Sequence, residues 1–253
     1  MSLDLSRRRL FQCACCLPIA GAATPAFAGM PFRSIAVDPT APRTTLTPDQ
    51  ALDVLRQGNA SFTTDSPIRS VTGRARRLEL ALSQAPFVIL VSCSDSRVPP
   101  ELLFGRGLGE LFIVRNAGNT VDTVALGSIE YGVAQLGVPL IVVMGHQRCG
   151  AVSAAVSVVE QNAFFPGAIG AMIEPIIPAV LAAKALDQGD VTENAVRRNV
   201  QRTVDRLRTA SEPALLKPLA EGRLKIVGAY YSLEDGNVDF FDTAPVAPSV
   251  PAA

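Results

Sequence analysis

The stretch PLIVVMGHQRCG, residues 139–150, decides how this chain folds. Its first six residues are an unbroken apolar run, short and rich in branched side chains, and read as a strand buried on both faces. His146 and Cys149 follow at the carboxyl end of that strand. Upstream, FVILVSCSDSR, residues 87–97, repeats the arrangement: an apolar strand over 87–91, then Cys93, Asp95 and Arg97. LFIV at 111–114 gives a third buried strand. Between it and the strand at 139–144, residues 120–136 carry Val121, Val124, Ala125, Ile129 and Val133 at helical spacing. Continuous apolar strands joined by helical crossovers predict an α/β fold, a mostly parallel sheet with helices on both faces. Ligand sites in such sheets lie beyond the carboxyl ends of the strands, so Cys93, His146 and Cys149 are expected at one rim.

Working outward, Thr47, Pro48 and Gln50 form a capping box for a first helix, with Ala51, Leu52 and Leu55 as its apolar face and Gly58 as its stop. A second helix is expected around 75–83. Beyond Cys149 the pattern predicts helices to about Gln161, over 172–186 despite Pro175 and Pro178, and over 192–210. A strand at 225–229, a turn at 234–237 and an antiparallel edge strand at 238–241 complete the sheet. The first 28 residues read as a cleaved export signal: Arg7, Arg8 and Arg9, an apolar run, then Ala26-Phe27-Ala28. Ser6 to Phe11 resembles a twin-arginine signal, which implies export, to the periplasm in a bacterium. The apolar run is shorter than the ~20 residues of a spanning helix and contains Pro18, so no stable membrane insertion is expected. Residues 29–46 are expected to form a flexible arm, 47–242 a single domain and 243–253 a disordered tail.

The chain has 253 residues, 48% hydrophobic and 18% charged, with 23 basic and 23 acidic side chains. That balance supplies no clustered basic surface, so no nucleic-acid partner is expected. Without the signal, 20 basic and 22 acidic residues remain, with Cys93 and Cys149 the only cysteines and His146 the only histidine. In an oxidising compartment two cysteines can form a structural disulfide. Two thiolates and an imidazole also suit zinc. Asp95 and Arg97 are spaced for a bidentate pair, which on a plain surface is worth little, and Asp95 could instead cap a helix begun at Pro99-Pro100-Glu101. Beside a metal, Asp95 is either a fourth ligand or is held off by Arg97 to accept a hydrogen bond from a water there.

These motifs resemble the β-class carbonic anhydrases. Cys93 to Arg97 matches the family's Cys-x-Asp-Ser-Arg, and His146 to Gly150 its His-x-x-Cys-Gly. Gly109 to Phe112, Arg115 to Asn119 and Ser128 to Tyr131 match in order and spacing between them. The resemblance spans about Thr47 to Phe241. It implies zinc-dependent reversible hydration of carbon dioxide to bicarbonate and a proton, with one Zn2+ per subunit on Cys93, His146 and Cys149. It implies Asp95 and Arg97 as the catalytic dyad, and Gln84, Phe112 and Tyr131 as the substrate-pocket lining of the plant-like branch. A homo-oligomer, dimer or higher, follows, with the pocket near the interface. So does a sheet of four parallel strands plus one antiparallel strand, preceded by an N-terminal helical arm. Leu90 stands where the allosteric bacterial branch has a tryptophan, and the chain has no Trp.

Overall fold

The computed structural model describes residues 40–66, 68, 70–186 and 189–241. The residues read from the sequence as an export signal and as a tail, and most of those read as an arm, lie outside them. Helix α1 (Pro48–Thr63) opens with the capping box: Thr47 Oγ1 accepts the Gln50 N–H at 3.3 Å and Gln50 Oε1 accepts the Thr47 N–H at 2.9 Å. Gly58 does not stop it; the helix runs on to Thr63. A Cβ at Gly58 would stand 2.0 Å from the Phe104 carbonyl oxygen, so the glycine serves a close backbone approach. Helix α2 (Arg74–Leu80) is shorter than its spacing predicts.

Strand β1 (Val88–Cys93) leads to a one-turn helix α3 (Pro100–Leu103) whose N-cap is Pro99, so Asp95 does not cap it. Strand β2 (Leu111–Asn116) follows, then helix α4 (Thr123–Ala134), whose start is fixed by Asp122 accepting the Ala125 N–H at 2.8 Å. Strand β3 (Leu140–His146) passes into α5 (Gly150–Gln161). The helix expected over 172–186 is instead two, α6 (Ala168–Ile173) and α7 (Ile177–Lys184), with a 3-10 turn at Glu174–Ile176 between them. Pro175 and Pro178 each sit in a first turn, where the missing N–H has no partner to lose. Helix α8 (Val191–Arg208), an unannounced α9 (Pro213–Ala220), β4 (Lys225–Tyr231) and β5 (Val238–Phe241) complete the described residues.

The sheet runs β2-β1-β3-β4-β5, parallel throughout except for the antiparallel β4–β5 pair. Strands β1 and β3 are buried along their whole length, and the period-2 alternation sorts their side chains to two cores. Val88, Leu90, Val142 and Met144 meet Leu52, Leu55 and Leu103 from α1 and α3. Ile89, Val91, Ile141 and Val143 meet Ile129 of α4 and Val200 and Val204 of α8. Strand β2, expected to be buried, is only half-buried because it forms the sheet edge. A third core of α5, α6, α7 and α8 closes over the carboxyl rim and includes Cys93 and Cys149.

Candidate metal centre

Cys93 is the last residue of β1 and His146 the last of β3; Cys149 stands three residues on, just before α5. Sheet geometry therefore brings together residues far apart in sequence. One ligand atom from each of the three lies within 4.8 Å of the others, and all three are buried. Both cysteines are free thiols, with Sγ atoms 4.0 Å apart. A disulfide needs about 2.05 Å. Two sulfurs each about 2.3 Å from one tetrahedral zinc would stand roughly 3.8 Å apart, which this spacing approximates.

His146 supplies the sharper test. Its Nδ1 lies 2.9 Å from the Gln147 carbonyl oxygen, an atom that only accepts, so Nδ1 carries the proton. Nε2 then presents a lone pair, and it is buried with no hydrogen-bond partner. A metal ligand held by a backbone carbonyl on its other nitrogen has this form. Cys93 is pulled well below the usual thiol range, first by the hydrogen bond from Cys149, then by His146 and by the Gly118 N–H 3.4 Å from Sγ, against the opposing effect of burial. Cys149 is pushed up by donating that proton and by its own burial. Two soft sulfurs and a neutral imidazole suit Zn2+.

Asp95 is turned toward Arg97 in a bidentate pair, Nε to Oδ1 at 2.9 Å and the terminal nitrogen to Oδ2 at 2.8 Å, and Oδ1 also accepts the Arg97 backbone N–H at 2.9 Å. Oδ2 stands 3.9 Å from His146 Nε2. The Arg97 guanidinium holds the Asp95 carboxyl well below the usual carboxylate range, so it stays ionised at neutral pH. Phe112 and the half-exposed Tyr131 stack, ring centroids 6.3 Å apart. Gln84 is exposed and lines a groove with Arg77, Leu80, Leu108 and Gly109, to which none of the metal-centre residues contributes.

Several supports have no signature in the spacing of the ligands. Arg115 donates to the carbonyl oxygens of Cys93 at 2.9 Å and Asp95 at 2.8 Å, strapping down the loop between Cys93 and the Asp95–Arg97 pair. Gly118 aims its N–H at Cys93 from a left-handed conformation, φ 77°, and Asn199 of α8 holds its carbonyl at 2.9 Å. Asn199 interrupts the apolar stripe Ala195, Val196, Val200, Val204, and that interruption is the one signal that marks it.

The family model described as Carbonic anhydrase matches residues 88–238. The chain is 40% identical over 192 residues to the carbonic anhydrase of Mycolicibacterium smegmatis, covering 76% of this chain and 92% of that one. Carbonic anhydrase 2 of Mycobacterium tuberculosis is 39% identical over 189 residues, covering 75% and 90%. Among solved structures, one of two tetrameric β-carbonic anhydrases from Sordaria macrospora superposes with TM-score 0.61 at 28% identity, covering 68% of this chain and 87% of its own. The Coccomyxa β-carbonic anhydrase follows with TM-score 0.56 at 26% identity, covering 75% and 81%.

Proposed function

This chain belongs to the carbonic anhydrase family, in its β class, and from that premise we propose that its reversible hydration of carbon dioxide to bicarbonate depends on one zinc ion per subunit. Cys93, His146 and Cys149 hold the ion. The observation that carries the reading is the buried, unpartnered Nε2 of His146 facing two free sulfurs. When bound, zinc lowers the pKa of a coordinated water from about 15.7 toward 7.

The chain's own groups do the rest. Asp95 accepts a hydrogen bond from the attacking water at Oδ2 and turns its lone pair toward carbon dioxide, while Arg97 keeps that carboxylate ionised and off the ligand set. Phe112 and Tyr131 form an apolar wall that admits an uncharged linear substrate. Gln84 donates to a substrate oxygen. Because Gln84 lies apart from the metal centre within one chain, it serves the pocket of a second copy, and the protein works as a homodimer or a larger homo-oligomer. The edge strand β2, which pairs only with β1 among the described residues and whose Phe112, Ile113 and Val114 are only half-buried, supports that assembly. Residues 1–28 act as the export signal and deliver the folded enzyme across the inner membrane. Among the described residues, no helix is long and apolar enough to cross a membrane.

The test measures zinc content and carbon dioxide hydration on the same purified sample. One zinc per chain, with hydration lost on chelation and restored by Zn2+, is the expected result. Full hydration by a zinc-free sample overturns the reading.

A further inference from the structure

The turn His146–Gln147–Arg148–Cys149 joins two of the three metal-centre residues, and its geometry depends on Arg148. Arg148 is one of four non-glycine residues with positive φ among those described, at 53°. That conformation costs a non-glycine residue about 1–2 kcal/mol. Something must hold it there. The Arg148 N–H donates to Glu193 Oε1 at 3.0 Å, across 45 residues of sequence. Glu193 stands in the first turn of α8, its own N–H accepted by Asp190 at 2.9 Å. Its second oxygen accepts the Tyr230 hydroxyl, and the Tyr230 ring lies against the Arg197 guanidinium, 4.2 Å from centroid to Cζ. The carboxylate is thus held by Tyr230, which is itself packed against Arg197, and the Glu193 backbone is held by Asp190.

On the far side of Arg148, its carbonyl oxygen accepts from Arg97 at 3.4 Å. One residue therefore carries, on its two flanking peptide units, a bond to Glu193 and a bond to the guanidinium that aims Asp95. The torsions of Arg148 relate these two bonds, and the next residue along is Cys149. We propose that Glu193 is a positioning residue for the zinc centre and the dyad: by holding Arg148 left-handed, it sets Cys149 and Arg97 in register with each other. Without the carboxylate oxygen, Arg148 relaxes toward negative φ, its carbonyl leaves Arg97, and Cys149 shifts against Cys93 and His146.

Glu193→Ala, Glu193→Gln and a same-helix control, Val204→Ala, are compared with wild type as zinc-loaded full-length protein. Outer residues of a metal site are worth about 10-fold to 100-fold in metal affinity or activity. Glu193→Ala is expected to release zinc to a chelator at least tenfold faster and to lower kcat with a smaller change in KM. Glu193→Gln retains a carbonyl oxygen for the Arg148 N–H and should restore both to within about threefold of wild type. Val204→Ala, buried on the same helix, should lower Tm without either effect. The proposal is overturned if Glu193→Ala keeps wild-type zinc retention and kcat, if the Gln and Ala variants are equally impaired, or if Val204→Ala sheds zinc as fast. It rests on the zinc reading above, whose own failure is seen separately, as a wild-type chain that binds no zinc.

Discussion

Asn59 on α1 and His146 at the end of β3 are both buried, and they are served differently by their surroundings. The Asn59 amide donates to the Gly236 carbonyl at 2.9 Å and to that of Leu103 at 3.5 Å, and its oxygen accepts the Val238 N–H at 2.8 Å. Helix α1, helix α3 and the β4–β5 hairpin are tied together by one side chain with both ends of its amide paired. His146 has one nitrogen bonded and the other with no partner. Buried polar groups that only hold a fold find partners, because leaving one unpaired costs about 1–3 kcal/mol. Ser92, Asn116 and Asn119 also contribute unpaired buried atoms near the same rim. The α1 side of the molecule is built for stability, and the carboxyl rim gives up stability for a site.

The largest effect expected from that division falls on turnover at the rim. Asp95→Ala should lose about a hundredfold or more in kcat, the range typical of a positioned proton-handling group. Its zinc content should stay at one per chain, and Tm should move little, since an ion pair whose arginine is half exposed contributes only about 0–1 kcal/mol. Stopped-flow hydration with parallel metal analysis checks both. Near-normal turnover would remove Asp95 from the chemistry, and lost zinc would make it a ligand.

The converse change is made at α1. Gly58→Ala forces a methyl to within 2.0 Å of the Phe104 carbonyl oxygen, a backbone atom that cannot swing aside. Overpacking of this kind costs about 1–3 kcal/mol, so the urea midpoint should fall while kcat per folded molecule stays unchanged. An ordinary helix-interior glycine would instead gain up to about 1 kcal/mol on becoming alanine. A rise in stability would therefore show that α1 and α3 do not meet as closely as described.

The same contrast explains what could be seen in advance. Strands β1 and β3 are buried on both faces, so their apolar runs are continuous, and the grouping of Cys93, His146 and Cys149 at their ends was legible with them. Strand β2 has an equally apolar run but stands at the sheet edge, and no local pattern separates the two cases. Gly58 carries the same letter whether it ends a helix or admits a neighbouring backbone; the deciding atom belongs to Phe104, 46 residues on. Helix α3 is a single turn begun by two prolines, too short for periodicity. At the candidate site, Cys93, His146 and Cys149 stand out because cysteine and histidine are rare in this chain, whereas Asp95 and Arg97 are common residue types that stand out only by their place beside Cys93. Glu193 and Asn199 are common residues on an amphipathic helix, and their partners lie 45 and 81 residues away.

The smallest expected effect tests whether α1 is held by its cap as well as by its packing. Thr47→Ala removes the oxygen that accepts the Gln50 N–H, and with it half of the capping box. The loss should be about 1 kcal/mol, because Gln50 Oε1 still reaches the Thr47 N–H and the cap is exposed to water. Helix α1 lies in the core with Val88, Leu90 and Met144 but supplies none of the metal-centre residues, so zinc retention and kcat should match wild type. A Thr47→Ala variant that lost zinc would mean that the two ends of the sheet are energetically coupled through β1 and β3. The separation drawn between Asn59 and His146 would then be one of hydrogen bonding alone.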